Sequence, residues 1–369
     1  MSTPSTMLAA KFYGRGDLRV EEVEVPALKE GEVRVKVAFL GICGSDLHEV
    51  YGGPLTCCQG SPHPLTGGEL PEILGHEFSG VLEELGEGVD GETFKTGQKV
   101  CIRPVVSCGH CDNCKSGDTS LCDTQIGLIG YNRPGGMAPY VNVPIENIHI
   151  VPENIPLDVA ALAEPLSVAW HAVECSDLKP GETALVCGAG PVGALIARVL
   201  KARGCSSVFI SEPSPVRTEI ARSSGADSVL NPIQVDVVSE VRKLTGGRGV
   251  DISFECAGNQ NALDAALNST RARGRVVVVA LWEKRATIDL FGSLLARERF
   301  VTASCCFVKR DMDQVLEALS QNKIKVDDLI TSRIDLQDIV KDGLEVLKND
   351  ASQVKILVDM EKSVKRWEK

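Results

Sequence analysis

No basic run with interleaved aromatics occurs anywhere in the chain, and acidic residues outnumber basic ones by 50 to 39, a net charge of −11. Such a surface repels phosphate backbones, so no nucleic-acid partner is expected. No apolar stretch reaches the roughly 18 residues of a membrane span, so no membrane partner is expected either. The opening MSTPSTMLAAKFYG has neither the basic start nor the apolar centre of a secretory leader. Fixed-period repeats and low-complexity segments are also missing, which excludes solenoids and coiled coils. With no export signal to explain them, 14 cysteines read as metal ligands or small buried hydrophobes rather than disulfides. The placement expected from these absences is cytoplasmic.

What is there points to two domains, because 369 residues exceed the size at which one core keeps growing. The 35 glycines and 18 prolines supply many turns, which suits strand-rich and α/β architectures. From about Met7 to Val100 short strands alternate apolar and polar residues, as in LRVEEVEV and GEVRVKVAF, and GQKVCI looks similar. Near Ala160 the character changes, and AALAEPLSVAWHAVECS carries helical spacing. Beyond it the apolar runs TALVCGAG, SVFISEP, VDISFECAG and GRVVVVAL alternate with helical segments such as VGALIARVLKARG. Strands alternating with helices imply βαβ units on a parallel sheet. After Asp311 come two helical segments and the strand VKILVDM.

Cys108, Cys111, Cys114 and Cys122 form a C-x2-C-x2-C-x7-C spacing among loop-forming residues. Two-residue gaps let one turn of chain present thiolates to a single ion, and four thiolates close its shell, so the zinc expected here is structural. Gly188, Gly190, Pro191, Val192 and Gly193 belong to the hexad G-A-G-P-V-G, which follows an apolar strand and opens a helix. There Gly188 permits the tight turn, Gly190 lets backbone approach a pyrophosphate, and Gly193 allows close packing of helix on strand. Glu212 follows about twenty residues on, where a carboxylate accepts hydrogen bonds from a ribose and repels a 2′-phosphate, so NAD is favoured over NADP. Arg217 either binds a 2′-phosphate or flanks the adenine.

Three further pieces carry metal donors: Cys43-Gly44-Ser45-Asp46-Leu47-His48, Gly75-His76-Glu77 and Glu164-Pro165-Leu166. Thiolate, imidazole and carboxylate donors with one position open describe a catalytic zinc. Spread over 120 residues, they do not by themselves establish one.

In their order GICGSDLHE, GHEFSG, the four-cysteine loop, AALAEPLSVAWHAV and GAGPVGAL resemble the zinc-containing medium-chain alcohol and polyol dehydrogenases, nearest to the 2,3-butanediol branch. The stretch HPLTGGELPEILGHEFSG and the long insert from Gly52 to Leu70 point to that branch. The resemblance covers nearly the whole chain. It implies an α/β protein with a β-rich GroES-like catalytic domain (1–165 and 306–369) and a Rossmann doubly wound parallel-sheet coenzyme domain (166–305). It also implies that Cys43 and His76 hold a catalytic zinc with Glu77 or Glu164 completing the shell, while Ser45 takes the alcohol proton and His48 passes it outward. Tyr51 and Trp282 are candidate pocket walls. The activity implied is NAD-linked interconversion of a small secondary alcohol or vicinal diol and its ketone, 2,3-butanediol and acetoin first. Sorbitol, threonine or another polyol is the alternative substrate, and a homodimer or homotetramer the implied assembly. A non-catalytic nucleotide-binding protein on this scaffold would have lost the reactive ligands, which are all present. No motif assigns a role to Cys57, Cys58, Cys305 or Cys306, or to His63, His110, His149 or His171.

Overall fold

A computed structural model describes residues 3–368. The chain divides into two compact units. One takes the residues up to Glu164, then Phe307–Gln321, and everything from Val326 onward. The other is Pro165–Cys306 with Asn322–Lys325.

The first unit is built on a sheet in the order Ile148–Ile150, Lys99–Ile102, Glu77–Leu85, Glu32–Gly41, Lys355–Asp359 and Ile330–Ile334, with Tyr140–Pro144 also paired to Glu32–Gly41. A three-stranded sheet, Asp17–Glu24, Thr6–Gly14 and Glu72–Ile73, joins the same core, where Phe12, Leu40, Phe78, Ile102 and Met137 are sealed from solvent. Register decides what this sheet presents at one end. Gly41 lies opposite Glu77, and Leu357 lies opposite Gly41. The chain therefore leaves Gly41 toward Cys43, arrives at Glu77 through His76, and arrives at Leu357 through Lys355. Antiparallel pairing thus gathers residues far apart in sequence at one edge.

The second unit holds a six-stranded parallel sheet in the order Ser228–Leu230, Ser207–Ser211, Thr183–Cys187, Val250–Glu255, Thr270–Val278 and Phe300–Ala303. In chain order this is 3-2-1-4-5-6, the doubly wound arrangement whose ligands lie beyond the carboxyl ends of the strands. Its central strands are covered on both faces: every residue of Val250–Glu255 is buried, the apolar Val250, Ile252 and Phe254 and the polar Asp251, Ser253 and Glu255 alike. The helix Pro191–Ala202 starts with proline on its first turn, where the missing N–H costs nothing, and buries Leu195, Ile196, Val199 and Leu200.

Candidate metal and dinucleotide sites

Cys43 caps the short helix Gly44–Leu47, and its backbone N–H donates to Asp46 Oδ2 at 2.9 Å. That bond fixes the turn from which Cys43 and Ser45 project. Asp46 is fully buried, and its Oδ1 lies 3.5 Å from His76 Nδ1 and accepts from the Tyr131 hydroxyl at 3.2 Å. On its other side the His76 ring has Nε2 3.3 Å from Ser45 Oγ, and the Tyr131 ring lies 5.1 Å away between centroids. The same hydroxyl lies 2.9 Å from Ser45 Oγ, so its single proton is shared between the two acceptors. Tyr131 lies in no sequence motif, and Asp46 lies inside the Cys43–His48 piece with no role assigned to it there; only the folded chain shows what either does.

One donor atom each from Cys43, His76 and Glu77 lies within 4.8 Å of the other two. Burial works against a charged His76, yet Asp46 and Cys43 outweigh it and hold its pKa well above the usual imidazole range. A buried thiol, imidazole and carboxylate, with an imidazole drawn toward positive charge, suit a divalent cation.

The two glutamates sit differently. Glu77 gives both carboxylate oxygens to Lys355 Nζ, at 2.7 and 2.6 Å, with both side chains buried. Gly41 makes room for this, because a Cβ there would collide with Glu77 Oε2. Burial works against the Lys355 charge, but Glu77 and Cys43 prevail and hold its pKa above the ordinary range. Glu164 is buried outside the triangle of close donors. Burial pushes its pKa up to about 8, with Glu77 adding to the rise while His76 and Lys355 oppose it. His48 is exposed, three residues beyond Ser45.

The four-cysteine loop is organised by N–H···S bonds. Cys111 N donates to Cys108 Sγ, Cys114 N to Cys111 Sγ and Cys108 N to Cys122 Sγ, each at 3.4 Å. Gly117, at φ +95°, ends the helix Asp112–Ser116 and turns the chain toward Cys122. All four sulfurs offer donors within 4.8 Å of one another, and Cys108 Sγ and Cys114 Sγ are 3.9 Å apart. A zinc with Zn–S bonds of about 2.3 Å needs sulfurs about 3.8 Å apart, so the cage fits the ion. The backbone N–H groups of His110 and Cys111 push Cys108 down to about 5, ready to ligate, whereas burial pushes Cys114 up to about 11. His110 spends its Nδ1 on the Cys108 carbonyl, at 2.8 Å.

In the second unit Gly188 has φ +107°, a conformation that favours glycine. A Cβ on Gly193 would collide with the Gly188 carbonyl oxygen, whereas one on Gly190 would meet nothing within 4 Å. The turn is thus tight at Gly188 and Gly193 and open at Gly190, which caps the helix beginning Pro191-Val192. Glu212 is buried at the end of Ser207–Ser211, accepting from Ala189 N and Ser214 N at 2.8 Å each. It ties the glycine turn to the next strand while keeping lone pairs on both oxygens. Arg217 lies in the first turn of Pro215–Ser223, its N–H capped by Ser214 Oγ.

Several sequence candidates lie outside these sites. Tyr51 packs on the first unit's core with Lys348 4.3 Å from its ring, and Trp282 donates to Glu255 Oε2 at 2.9 Å. His63 accepts from Leu65 N and Thr66 N and pins its own loop. His149 pairs with Asp313.

Comparison with known proteins follows the same division. The alcohol dehydrogenase GroES-like domain matches residues 29–153, and the zinc-binding dehydrogenase domain matches residues 191–321. An (R,R)-butanediol dehydrogenase of Neisseria gonorrhoeae is 40% identical over 358 residues, covering 96% of this chain and 99% of that protein. The Bacillus subtilis (R,R)-butanediol dehydrogenase is 39% identical over 356 residues, with 95% and 99% covered. The crystal structure of the 2R,3R-butanediol dehydrogenase of Bacillus subtilis superposes with a TM-score of 0.90 at 38% identity, covering 96% of this chain and 99% of that one.

Proposed function

The chain belongs to the zinc-binding alcohol dehydrogenases with a GroES-like domain, and from that premise we propose that it interconverts a small vicinal diol and its hydroxyketone, 2,3-butanediol and acetoin first, using zinc and NAD. The observation that carries this reading is that Cys43 and His76 offer donor atoms within 4.8 Å of one another, with the Ser45 hydroxyl 3.3 Å from the His76 ring. The butanediol assignment is supported by about 40% identity to two butanediol dehydrogenases over nearly the full length of each chain.

Bound zinc supplies Lewis-acid activation of the alcohol, and nicotinamide accepts the hydride. The chain's own residues do the rest. Cys43 and His76 hold the metal, and Asp46 orients His76 from behind. We assign the third protein ligand to Glu164. Lys355 already cancels the charge on Glu77, whereas a buried carboxyl pushed up to about 8 is one short of a cation. Glu164→Gln then lowers zinc content at the Cys43 site, and Glu77→Gln leaves it filled; the reverse pattern moves the role to Glu77.

The Tyr131 hydroxyl holds Ser45 Oγ in place at 2.9 Å, beside the His76 ring. Ser45 accepts the alcohol proton, and the exposed His48 imidazole, one helical turn on, delivers it to water. The open backbone at Gly190 and the amino end of Pro191–Ala202 take the pyrophosphate, and Glu212 takes the adenosine ribose.

Two coarser features belong to the same reading. We place the enzyme in the cytoplasm, since none of its 14 cysteines is paired in a disulfide. We propose a homodimer through the Phe300–Ala303 strand. It lies at a sheet edge with all four residues exposed, and Leu290, Phe291 and Leu295 are exposed just before it in sequence. Phe300→Lys then yields monomers in sedimentation velocity; an unchanged assembly removes that edge from the interface.

The deciding experiment measures NAD reduction by the zinc-loaded protein with 2,3-butanediol, sorbitol and threonine, alongside metal content. Turnover fastest on 2,3-butanediol, with about two zinc ions per chain, supports the proposal. Faster turnover of sorbitol or threonine reassigns the substrate. No turnover on any alcohol leaves a nucleotide-binding protein on a dehydrogenase scaffold.

A further inference from the structure

Cys305 and Cys306 follow directly on the Phe300–Ala303 strand, whose pairing to its neighbour is closed by Ser304 N donating to the Val278 carbonyl at 3.0 Å. The backbone of Cys306 then turns into the left-handed region, φ +53°, which few residues other than glycine adopt. The turn brings both sulfurs to the same side, with Cys305 Sγ 3.9 Å from Cys306 Sγ. Among the described residues Cys305 is the one exposed cysteine.

Five of the other thiols outside the metal cages have a different character. Burial pushes Cys101 up to about 12 and Cys205 up to about 11, and raises Cys57, Cys187 and Cys256 as well. Protonated and enclosed, these sulfurs are poor nucleophiles. Cys305 goes the other way. The contact with the Cys306 thiol stabilises its thiolate and the nearby His171 imidazole adds to the effect, bringing it down to about 6 against the opposing pull of its own partial burial. An accessible sulfur that is largely ionised at neutral pH, with a second thiol beside it, is the arrangement of a reactive and a resolving cysteine.

We propose that Cys305 and Cys306 form a two-cysteine modification site for hydroperoxide-class oxidants, in which Cys305 attacks and Cys306 resolves. In the first step Cys305 Sγ attacks one oxygen of hydrogen peroxide. The S–O bond forms, the O–O bond breaks, and hydroxide leaves to be protonated to water, with the sulfur oxidised to sulfenic acid. In the second step Cys306 Sγ attacks the sulfenic sulfur. The S–S bond forms, the S–O bond breaks, and the departing hydroxide takes the Cys306 proton as a second water. Two thiols and one peroxide thus give one disulfide and two waters. Adjacent Cα atoms are about 3.8 Å apart across a trans peptide, closer than the usual span of a disulfide. Strained, exposed disulfides are the ones that cellular thiols reopen, so the modification is reversible.

The sequence makes the test direct, because trypsin releases Phe300–Lys309 with these two cysteines and no others. The full-length, zinc-replete protein is treated with one equivalent of hydrogen peroxide, alkylated and mapped by mass spectrometry. The expected product is a Phe300–Lys309 peptide that has lost two hydrogens and both alkylation sites, recovering them after dithiothreitol. In Cys306→Ser the reaction stops at a sulfenic acid on Cys305 that dimedone traps. In Cys305→Ser the peptide reacts at least tenfold more slowly. The proposal is overturned if this peptide keeps both thiols while others are oxidised, or if Cys305→Ser reacts as fast as the parent. The wild-type map needs neither variant, and it measures no turnover, so it stands or falls apart from the dehydrogenase reading.

Discussion

Replacing Lys355 by methionine removes the one cation that faces both oxygens of a buried carboxylate, and its cost follows from the geometry. The two N–H···O contacts are 2.7 and 2.6 Å long, with the Lys355 and Glu77 side chains 4% and 1% exposed. Breaking one partner of such a pair costs about 3–5 kcal/mol, because the surviving charge is left without compensation. A second route bounds the value. The variant can relieve itself by protonating the carboxyl, and holding a glutamate of ordinary acidity protonated at pH 7 costs about 4 kcal/mol. Both routes give about 4 kcal/mol at pH 7, and the second predicts that the loss shrinks to about 1 kcal/mol at pH 5. Methionine fills the space of the lysine stem, so a cavity adds little. The double variant Glu77→Gln/Lys355→Met therefore regains most of the loss. Trp367, on the helix Met360–Trp367 that directly follows Lys355–Asp359, is the reporter. With Trp170 and Trp282 changed to phenylalanine, urea unfolding by fluorescence reads the first unit alone. A loss under about 1 kcal/mol at pH 7, or one that does not shrink toward pH 5, would refute the reasoning.

Three further outcomes are expected. Cys111→Ser opens the four-thiolate cage, so zinc content drops by about one ion per chain and trypsin gains access at Lys115, while the Cys43 site keeps its metal; unchanged metal content would show that the cage holds none. Glu212→Gln keeps one acceptor for the Ala189 and Ser214 amides but removes the charge, so the NAD-over-NADP ratio of kcat/KM falls at least about tenfold; an unchanged ratio takes Glu212 out of cofactor choice. Burial pushes His149 down to about 4 although Asp313 at 2.8 Å favours its charged form. The unfolded chain therefore binds more protons than the folded one between about pH 6.5 and 4. Stability is complete above about pH 6.5 and falls by about 2–3 kcal/mol as the pH drops to 4, and His149→Gln flattens that part of the unfolding profile.

The fold was legible wherever one physical demand acts along a short stretch. The parallel sheet announces itself in runs such as Thr183–Cys187, where a strand covered on both faces carries almost only apolar residues. The glycine turn is readable because Gly188 needs φ +107° and Gly193 cannot carry a Cβ, and no other residue meets either demand. The four-cysteine loop is readable for the same reason, since its ligands span fifteen residues and its N–H···S bonds are local. Other elements were hidden. Thr6–Gly14 pairs along its length, yet Ala9 and Ala10 are both fully buried and the alternation of a half-buried strand breaks there. The helix Gln260–Ser269 buries Leu263, Ala266 and Leu267 on a single stripe, and the polar residues between them mask it.

The catalytic cluster was legible only in part, because its members answer to strand register rather than to spacing. Cys43 and His76 stood out as ligand types, and family resemblance joined them. Nothing near Glu77 in sequence shows that its charge is already spoken for, since the cation that neutralises it is 278 residues further on. Lys355 reaches it because Leu357 pairs with Gly41 and Gly41 pairs with Glu77, so three strands converge on one carboxylate. The same convergence separates the two glutamates that looked equivalent as candidates. Glu77 is built into the sheet as half of a buried ion pair, and Glu164 is left with the desolvation cost and no lysine of its own. On the assignment proposed above, a metal ion held by Cys43 and His76 would supply the missing cation to Glu164 without breaking the pair beside it. Register, through Lys355, thereby fixes which of the two carboxylates is already paired.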